Sequence, residues 1–353
     1  LALGLRFVVN LGAVLARLYG PRRHHAGATA TERQREIMAL RYARAEATVT
    51  SQPTRHLFDS MDTLAVLQRV DPTSVPASGK LYAGAAALFA FGGISFGVSR
   101  RLSVQAQALV HPESLDEYLY ERAMSFTCRV LEGDWDDEHE IEPARIAEGI
   151  RNGQIWGPTT YLGLLAEKRI HRGDLTGARA CLTQIDEIWD LFQYDLAKTN
   201  HYYLHTLMPL EQADLPRAIE AATAYYDENP EDLLHILALA AKAKAQTMLG
   251  ELETAEQTLR QAAEVVARSS PVPPFHASAY YRSRFLLDLT WLERTLAEVR
   301  PTDPRRWTRQ ASRSGRQAMR IAGKVAWRQT EVLRLAARYQ SALGHRCSAL
   351  RLL

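Results

Sequence analysis

The chain has 353 residues, of which 46% are hydrophobic and 24% charged, and its net charge is +3. These proportions are typical of a folded protein and exclude a largely disordered chain. The small net charge gives no support to a generally basic, nucleic-acid-binding protein. Three cysteines, Cys128, Cys181 and Cys347, lie far apart without paired spacing. The sequence therefore predicts neither a disulfide framework nor a zinc module, and it favours a reducing, cytoplasmic location.

The two ends of the chain indicate a piece of a larger protein. The sequence begins without methionine and ends at Leu353 within an apolar helical pattern. Any catalytic domain is therefore expected outside these residues. Residues 1–19 carry Arg6 and Arg17 and lack a small-residue cleavage site, so they predict a helix and not a signal peptide.

Three breaks rich in proline, glycine or serine divide the chain, at residues 72–79, 269–274 and 300–304. On this basis we predict an N-terminal helical segment (1–76), regular helical-hairpin repeats (77–268) and irregular, basic C-terminal repeats that are truncated (269–353).

An uncharged run over residues 81–98 has two interpretations, a membrane-spanning helix or a buried helical hairpin. Gly92, Gly93 and Gly97 interrupt the run. Gly93 also precedes Gly133 by 40 residues, which is the spacing of the turns described next. The hairpin is therefore the favoured interpretation, and no membrane partner is expected.

A turn signal recurs at nearly constant spacing along the chain. It starts at Gly133, Gly173, Ala213, Gly250 and Gly344, and successive starts are 40, 40, 37 and 94 residues apart. Asp or Glu follows the first four starts. Glycine suits the left-handed residue that ends a helix, and an acidic residue suits the start of the next. A period in this range predicts stacked structural units.

Helical periodicity flanks three of these turns. Helices are predicted before them at residues 161–171, 202–212 and 233–249. The apolar positions after Gly173 (Leu175, Ala178, Cys181, Leu182, Ile185 and Trp189) follow one helical face, and similar offsets follow Ala213 and Gly250. Each unit is therefore predicted to be an antiparallel helical hairpin.

Small residues occur at matched positions around three turns, in the pairs Ala166/Ala178, Ala243/Ala255 and Ala337/Ala349. In each pair the first alanine lies seven residues before the turn glycine and the second lies five after it. In this the chain resembles degenerate tetratricopeptide repeats. The resemblance implies an all-α, right-handed superhelical solenoid, in which residues 159–169 and 231–244 belong to helices that line the concave side.

The chain departs from that family in three respects. Its period exceeds the family's roughly 34 residues. Leu162 and Leu239 replace the usual early aromatic residue, and only Pro230 approaches the expected terminal proline.

The diffuse pattern also resembles the helical C-terminal regions of large bacterial signalling ATPases. That resemblance implies a non-catalytic protein-interaction or sensor scaffold that receives a signal from a protein, a peptide or a sister domain and restrains or releases the ATPase. No phosphate loop, nucleophile elbow or kinase signature is found in the sequence. No catalytic activity and no cofactor are therefore expected of this piece.

His201 and His205 have a spacing found among metal ligands, because residues four apart share a helical face. Tyr202 stands where a thermolysin-type pattern needs Glu, and no third ligand is evident nearby in the sequence. We therefore expect a structural or surface role for both histidines and no metal site.

An acidic run has its carboxylates at Glu132, Asp134, Asp136, Asp137, Glu138, Glu140 and Glu142. The spacing does not match a calcium loop. A solvated turn or an electrostatic docking edge is expected.

The segment 304–330 contains no acidic residue. Arg309, Arg313, Arg316, Arg320 and Lys324 lie at i, i+4, i+7, i+11 and i+15, which predicts one continuous helical face. Arg305, Arg306 and Arg328 are expected to extend this face, with Trp307 and Trp327 at its ends. Like charges at i, i+4 cost a few tenths of a kcal/mol per pair, so helix stability does not explain the stripe.

Four interpretations of the stripe remain open. It pairs with acidic neighbours such as Glu293 and Glu298, or it binds an acidic protein, an anionic nucleotide or nucleic-acid phosphates. We predict a partner site formed by Arg309, Arg313, Arg316, Arg320 and Lys324. The alternative function is a nucleic-acid-binding helical-repeat protein that uses the face 305–328.

Overall fold

The computed structural model describes residues 2–20, 28–48, 52–111, 113–136, 140–269, 271–298 and 303–353. Within these residues the chain is all-helical, and its only extended pairing is an isolated bridge between Ala28 and Val70. The helices of the described residues are α1 (Ala2–Tyr19), α2 (Glu32–Thr48), α3 (Pro53–Leu67), α4 (Ser78–Phe91), α5 (Phe96–Leu109), α6 (Leu115–Glu132), α7 (Pro143–Arg151), α8 (Trp156–His171), α9 (Leu175–Phe192), α10 (Asp195–Glu211), α11 (Leu215–Glu228), α12 (Asp232–Leu249), α13 (Leu252–Arg268), α14 (Pro274–Ala297), α15 (Pro304–Ala322), α16 (Gln329–Ala342) and α17 (Arg346–Leu350). The predicted all-α class is confirmed.

The chain forms two compact units. The first unit comprises Leu1–Arg129 and Asp136–Tyr161, and the second unit comprises Val130–Trp135 and Leu162–Leu353. The boundaries expected at residues 76 and 268 concern the regularity of the repeats and stay predictions.

In the first unit, the uncharged run folds as a hairpin. Helix α4 ends at Phe91, a short turn follows, and α5 begins at Phe96 and packs against α4. Gly93 adopts a φ of +58° in this turn, a left-handed conformation that glycine adopts without strain. The hairpin prediction is confirmed. No helix in the described part of the chain is both long and apolar enough to cross a membrane.

In the second unit, four of the five predicted turns join successive helices. The fifth, Gly133, follows the end of α6 with a φ of +88°, but the next described helix begins only at Pro143. Gly173, Ala213, Gly250 and Gly344 have φ values of +79°, +59°, +85° and +81°. Each follows the end of one helix and precedes the next by one or two residues. After Gly173, the Asp174 carboxylate accepts a 2.9 Å hydrogen bond from the Gly177 amide and so caps α9. The recurring turn signal therefore marks real helix ends.

Ala213 is the exception among these turns, because its Cβ makes the left-handed conformation unfavourable by about 1–2 kcal/mol. We expect Ala213→Gly to raise the free energy of unfolding by about 1 kcal/mol. Gly250→Ala is the matched reverse change: a Cβ there meets no atom within 4 Å, so only the backbone conformation should lower the stability. Chemical denaturation measures both. Shifts of the same sign would contradict this account of the turns.

Neighbouring hairpins of the second unit share their apolar cores. One cluster joins α10, α11 and α12 through Leu210, Ala218 and Ala245. The next joins α12, α13 and α14 and contains Ala243, Leu252, Ala255, Leu259 and Leu287. A third joins α14, α15 and α16 around Phe285, Leu289, Ala318, Val332 and Leu335. Helices α12 and α14 each contribute to two of these clusters, so the hairpins from α10 to α16 bury their apolar faces against one another, as expected of a helical repeat.

The three alanine pairs that carry the tetratricopeptide resemblance are all buried, and none is more than 8% exposed. Small residues at these positions allow the paired helices to approach closely. The structure thus supports a helical repeat made of neighbouring pairs.

Candidate functional site

Helix α15 has two chemically different sides. Its buried side consists of small residues, Ala311, Ser314, Gly315, Ala318 and Ala322. A Cβ on Gly315 would lie 2.9 Å from the ring of Phe285 on α14, so α15 packs closely against α14 there. The opposite side of α15 faces solvent and carries the predicted stripe.

We call Arg309, Arg313, Arg316, Arg320 and Lys324 the basic face. All five are exposed, and none has a salt-bridge partner among the described residues. Arg309 Nε donates to the backbone carbonyl of Arg305, and Arg316 Nη1 donates to Ser312 Oγ. These contacts remain within α15 and leave the charges uncompensated.

One of the interpretations left open, a pairing of this face with Glu293, is not found between the described residues. The Glu293 carboxylate instead binds the Arg338 guanidinium of α16, with Oε2 2.7 Å from Nη2.

Two further expectations about the stripe need correction. Helix α15 ends at Ala322, so Lys324 lies in the following turn and not on the helix. Residues 326–328 form a short 3-10 helix in which Trp327 and Arg328 are buried. Arg328 therefore does not extend the face. After the helix ends, Val325, Trp327 and Arg328 are buried, and the charge spacing alone could not reveal this change.

A small cleft lies beside the start of α15. Its volume is about 270 Å³, and Glu256, Arg260 and Arg306 contribute to its polar lining. Trp291 and Trp307 stack in it with their ring centroids 5.1 Å apart. Small-molecule sites usually enclose about 300–1,000 Å³, so the cleft is small for a metabolite. Its two tryptophans place aromatic surface next to the start of α15.

A buried ionic cluster lies elsewhere in the second unit, centred on Arg328. Its guanidinium binds the Glu167 carboxylate of α8 and the Tyr203 hydroxyl of α10, and Nη1 is 2.8 Å from His171 Nε2. Tyr203 also donates a 2.6 Å hydrogen bond to Glu167. Burial alone would raise the pKa of Glu167, but the positive charge of Arg328, helped by the hydrogen bond from Tyr203, outweighs it, so the pKa is lowered.

The same cluster continues through Glu331, in the first turn of α16. Its carboxylate lies 2.9 Å from Lys244 Nζ of α12 and 2.6 Å from Arg282 Nη1 of α14. Burial opposes ionisation of Glu331, yet Arg282 and Lys244 hold its pKa well below the usual range. Helices α8, α10, α12 and α14 thus all contact residues 328–331. Lys244 also lies 3.1 Å from the Glu211 carboxylate, so three cations face three carboxylates in this cluster. Shifted pKa values also occur in such structural ion-pair networks.

This cluster changes the expectation for the segments 159–169 and 231–244. Glu167 and Lys244, which belong to these segments, bind residues 328 and 331 of the same chain. These two side chains are therefore not available to a partner in this conformation.

A second group of titratable side chains lies between α9 and α10. His201 and His205 share one face of α10, as predicted, and Asp186 of α9 lies beside them. One ligand atom from each of the three lies within 4.8 Å of the others. Sequence reasoning missed this third residue, because Asp186 lies on the preceding helix and no local motif includes it. Burial lowers the pKa of His205, and the neighbouring His201 lowers it further.

The acidic run is only partly described. Glu132 and Asp134 are half-buried, whereas Asp136, Glu140 and Glu142 are exposed. Asp137 and Glu138 lie outside the described residues. Its role as a solvated turn or docking edge stays a prediction.

Comparisons of this chain with protein-family models, with curated proteins and with solved structures found no match.

Proposed function

We propose that this chain is a non-catalytic protein-interaction scaffold that binds an acidic protein segment through the basic face. One observation carries the proposal: five exposed cations follow one side of α15 and its terminal turn without an acidic partner among the described residues. Such a stripe destabilises the isolated helix. An anionic partner would compensate this cost on binding.

The geometry of the face fits carboxylates on a regular segment. Arg309 and Arg320 are eleven residues apart on α15, which corresponds to about 16 Å along the helix axis. A partner helix with acidic residues at the same four- and three-residue spacings presents its carboxylates in a matching row. Arginine suits this role, because its planar guanidinium binds a carboxylate through two parallel hydrogen bonds.

An acidic protein is favoured over a nucleic acid by the aromatic residues next to the face. Sequence-tolerant binding of single strands needs aromatic rings on which bases stack. Trp291 and Trp307 already stack on each other, and the guanidinium groups of Arg294 and Arg306 lie 5.6 Å and 5.1 Å from their respective ring centroids. A base would have to displace one of these contacts.

The wider setting that we propose follows from the sequence resemblance. The hairpins would stack as a right-handed superhelical, tetratricopeptide-like solenoid in the cytoplasm. The chain would then be the regulatory helical region of a larger bacterial signalling ATPase, with the partner either a separate protein or a sister domain. The sharing of cores between neighbouring hairpins supports the stacked arrangement.

A direct binding assay tests the proposal. The probes are a labelled helical peptide with glutamates spaced by four, three and four residues, a scrambled peptide of equal charge, and a short DNA duplex. Fluorescence anisotropy is measured at 150 mM NaCl. We expect the spaced peptide to bind saturably and more tightly than the scrambled peptide, because only the former aligns its carboxylates with the basic face.

Two results would overturn the proposal. Tighter binding of the DNA duplex than of either peptide would indicate the nucleic-acid alternative. Equal affinity for the spaced and scrambled peptides would show non-specific attraction between net charges.

A further inference from the structure

We propose that Asp186, His201 and His205 form a binding site for a single zinc-type divalent cation. This site lies between α9 and α10, apart from the basic face, and it is independent of the function proposed above. The first support is the convergence of three donors from two different helices.

The local geometry is close to that of a metal site. Residues four apart on a helix project from one face, so α10 presents both imidazoles together. Asp186 Oδ1 lies 2.6 Å from His201 Nδ1, and the centroids of the two histidine rings are 4.3 Å apart. Donors around a tetrahedral zinc ion, each about 2.0–2.2 Å from the metal, are separated by about 3.3–3.6 Å. For an ion to bind, Asp186 Oδ1 and His201 Nδ1, now 2.6 Å apart, would therefore have to separate by about 0.7–1.0 Å.

The surroundings leave an entrance for an ion. The side chains of His201 and Asp186 are 23% and 38% exposed, so the site opens to solvent on one side. The rings of Trp189 and Tyr202 lie 5.0 Å and 5.2 Å from the His201 ring and cover another side. A bound ion would thus have three protein ligands and an open position for water.

The donor set selects the class of metal. Two imidazoles and one carboxylate are typical of zinc sites that keep a fourth position open. Magnesium and calcium instead prefer oxygen ligands throughout. One positive charge opposes the binding of a cation, because Arg217 of α11 lies close enough to His205 to repel positive charge there. Replacing Arg217 by glutamine should therefore strengthen zinc binding.

The test is isothermal titration of the full, tag-free chain with Zn²⁺. We expect one ion per wild-type chain and at least a hundredfold loss of affinity in His201→Ala/His205→Ala. His111→Ala, which removes an exposed histidine elsewhere, and Cys347→Ser, which removes the exposed thiol, should both bind like the wild type. Arg217→Gln should bind more tightly than the wild type.

A second measurement serves if the double variant fails to fold. Wild-type protein loaded with Co²⁺ should show the visible absorption of a low-symmetry site with nitrogen ligands, and an excess of Zn²⁺ should remove it. The proposal is overturned if the wild type binds no zinc, or if His111→Ala or Cys347→Ser loses affinity as much as the double histidine variant.

Discussion

Replacement of Arg328 by alanine is expected to lower the free energy of unfolding of the second unit by about 3–5 kcal/mol. The reason is the environment of its partner. Glu167 is 1% exposed, and the Arg328 side chain is 5% exposed. Without the guanidinium, the Glu167 carboxylate stays buried next to a tyrosine and a histidine, with its main compensating charge removed. Denaturation in urea, followed by tryptophan fluorescence and circular dichroism, measures the loss.

The matched control is Arg338→Ala. Arg338 also pairs with a glutamate, Glu293, but these side chains are 47% and 34% exposed. Exposed pairs contribute about 0–1 kcal/mol. If Arg328→Ala costs no more than Arg338→Ala, the buried cluster does not stabilise the second unit as described.

A compensating variant separates the cost of an unpaired charge from the cost of lost packing. Glu167→Leu, Tyr203→Phe and Arg328→Met together remove the polar groups while keeping most of the volume. Replacing a buried ion pair by apolar groups is often neutral or stabilising. We therefore expect the triple variant to recover most of the stability lost in Arg328→Ala.

Reversal of two charges on the basic face is the second large effect. We expect Arg313→Glu/Arg316→Glu to weaken binding of the spaced acidic peptide about a hundredfold at 150 mM NaCl, because two attractive contacts become repulsive. Both side chains are exposed and lie opposite the packed side of α15, so the fold should be unaffected. Fluorescence anisotropy gives the affinity, and circular dichroism checks the fold.

Arg179→Glu/Arg334→Glu is the charge-matched control. It changes the net charge by the same amount at exposed positions on α9 and α16. It should leave peptide binding within about threefold of the wild type, since neither arginine belongs to the basic face and salt screens the interactions of exposed charges beyond a Debye length of about 8 Å. Equal losses in both double variants would show that net charge, and not the basic face, attracts the peptide.

Much of the fold follows from local sequence signals. Turn glycines such as Gly173 and Gly250 can be predicted without knowing the tertiary structure. Their positive φ values are a property of single positions in the chain, which favour glycine. Buried alanines such as Ala243 and Ala255 were found by their fixed distance from a turn. The exposed part of the basic face was also predictable, because helical spacing alone places arginines on one side.

The errors arose where distant parts of the chain meet. Arg328 continues the basic run in sequence, yet its partner Glu167 is 161 residues away. Asp186 joins His201 only because α9 and α10 are neighbours. No local pattern encodes such pairings, since they depend on how successive helices are arranged in space.

Site-specific photo-cross-linking in the source cells identifies the molecule that lies on the basic face. A photoreactive residue replaces Gln317, which lies among the arginines of the basic face, and in a matched protein it replaces Gln261, an exposed residue of α13. We predict that position 317 captures an acidic segment of one protein, that position 261 does not, and that Arg313→Glu/Arg316→Glu abolishes the capture. Capture of nucleic acid at position 317, or of the same proteins at both positions, would contradict the proposed scaffold function.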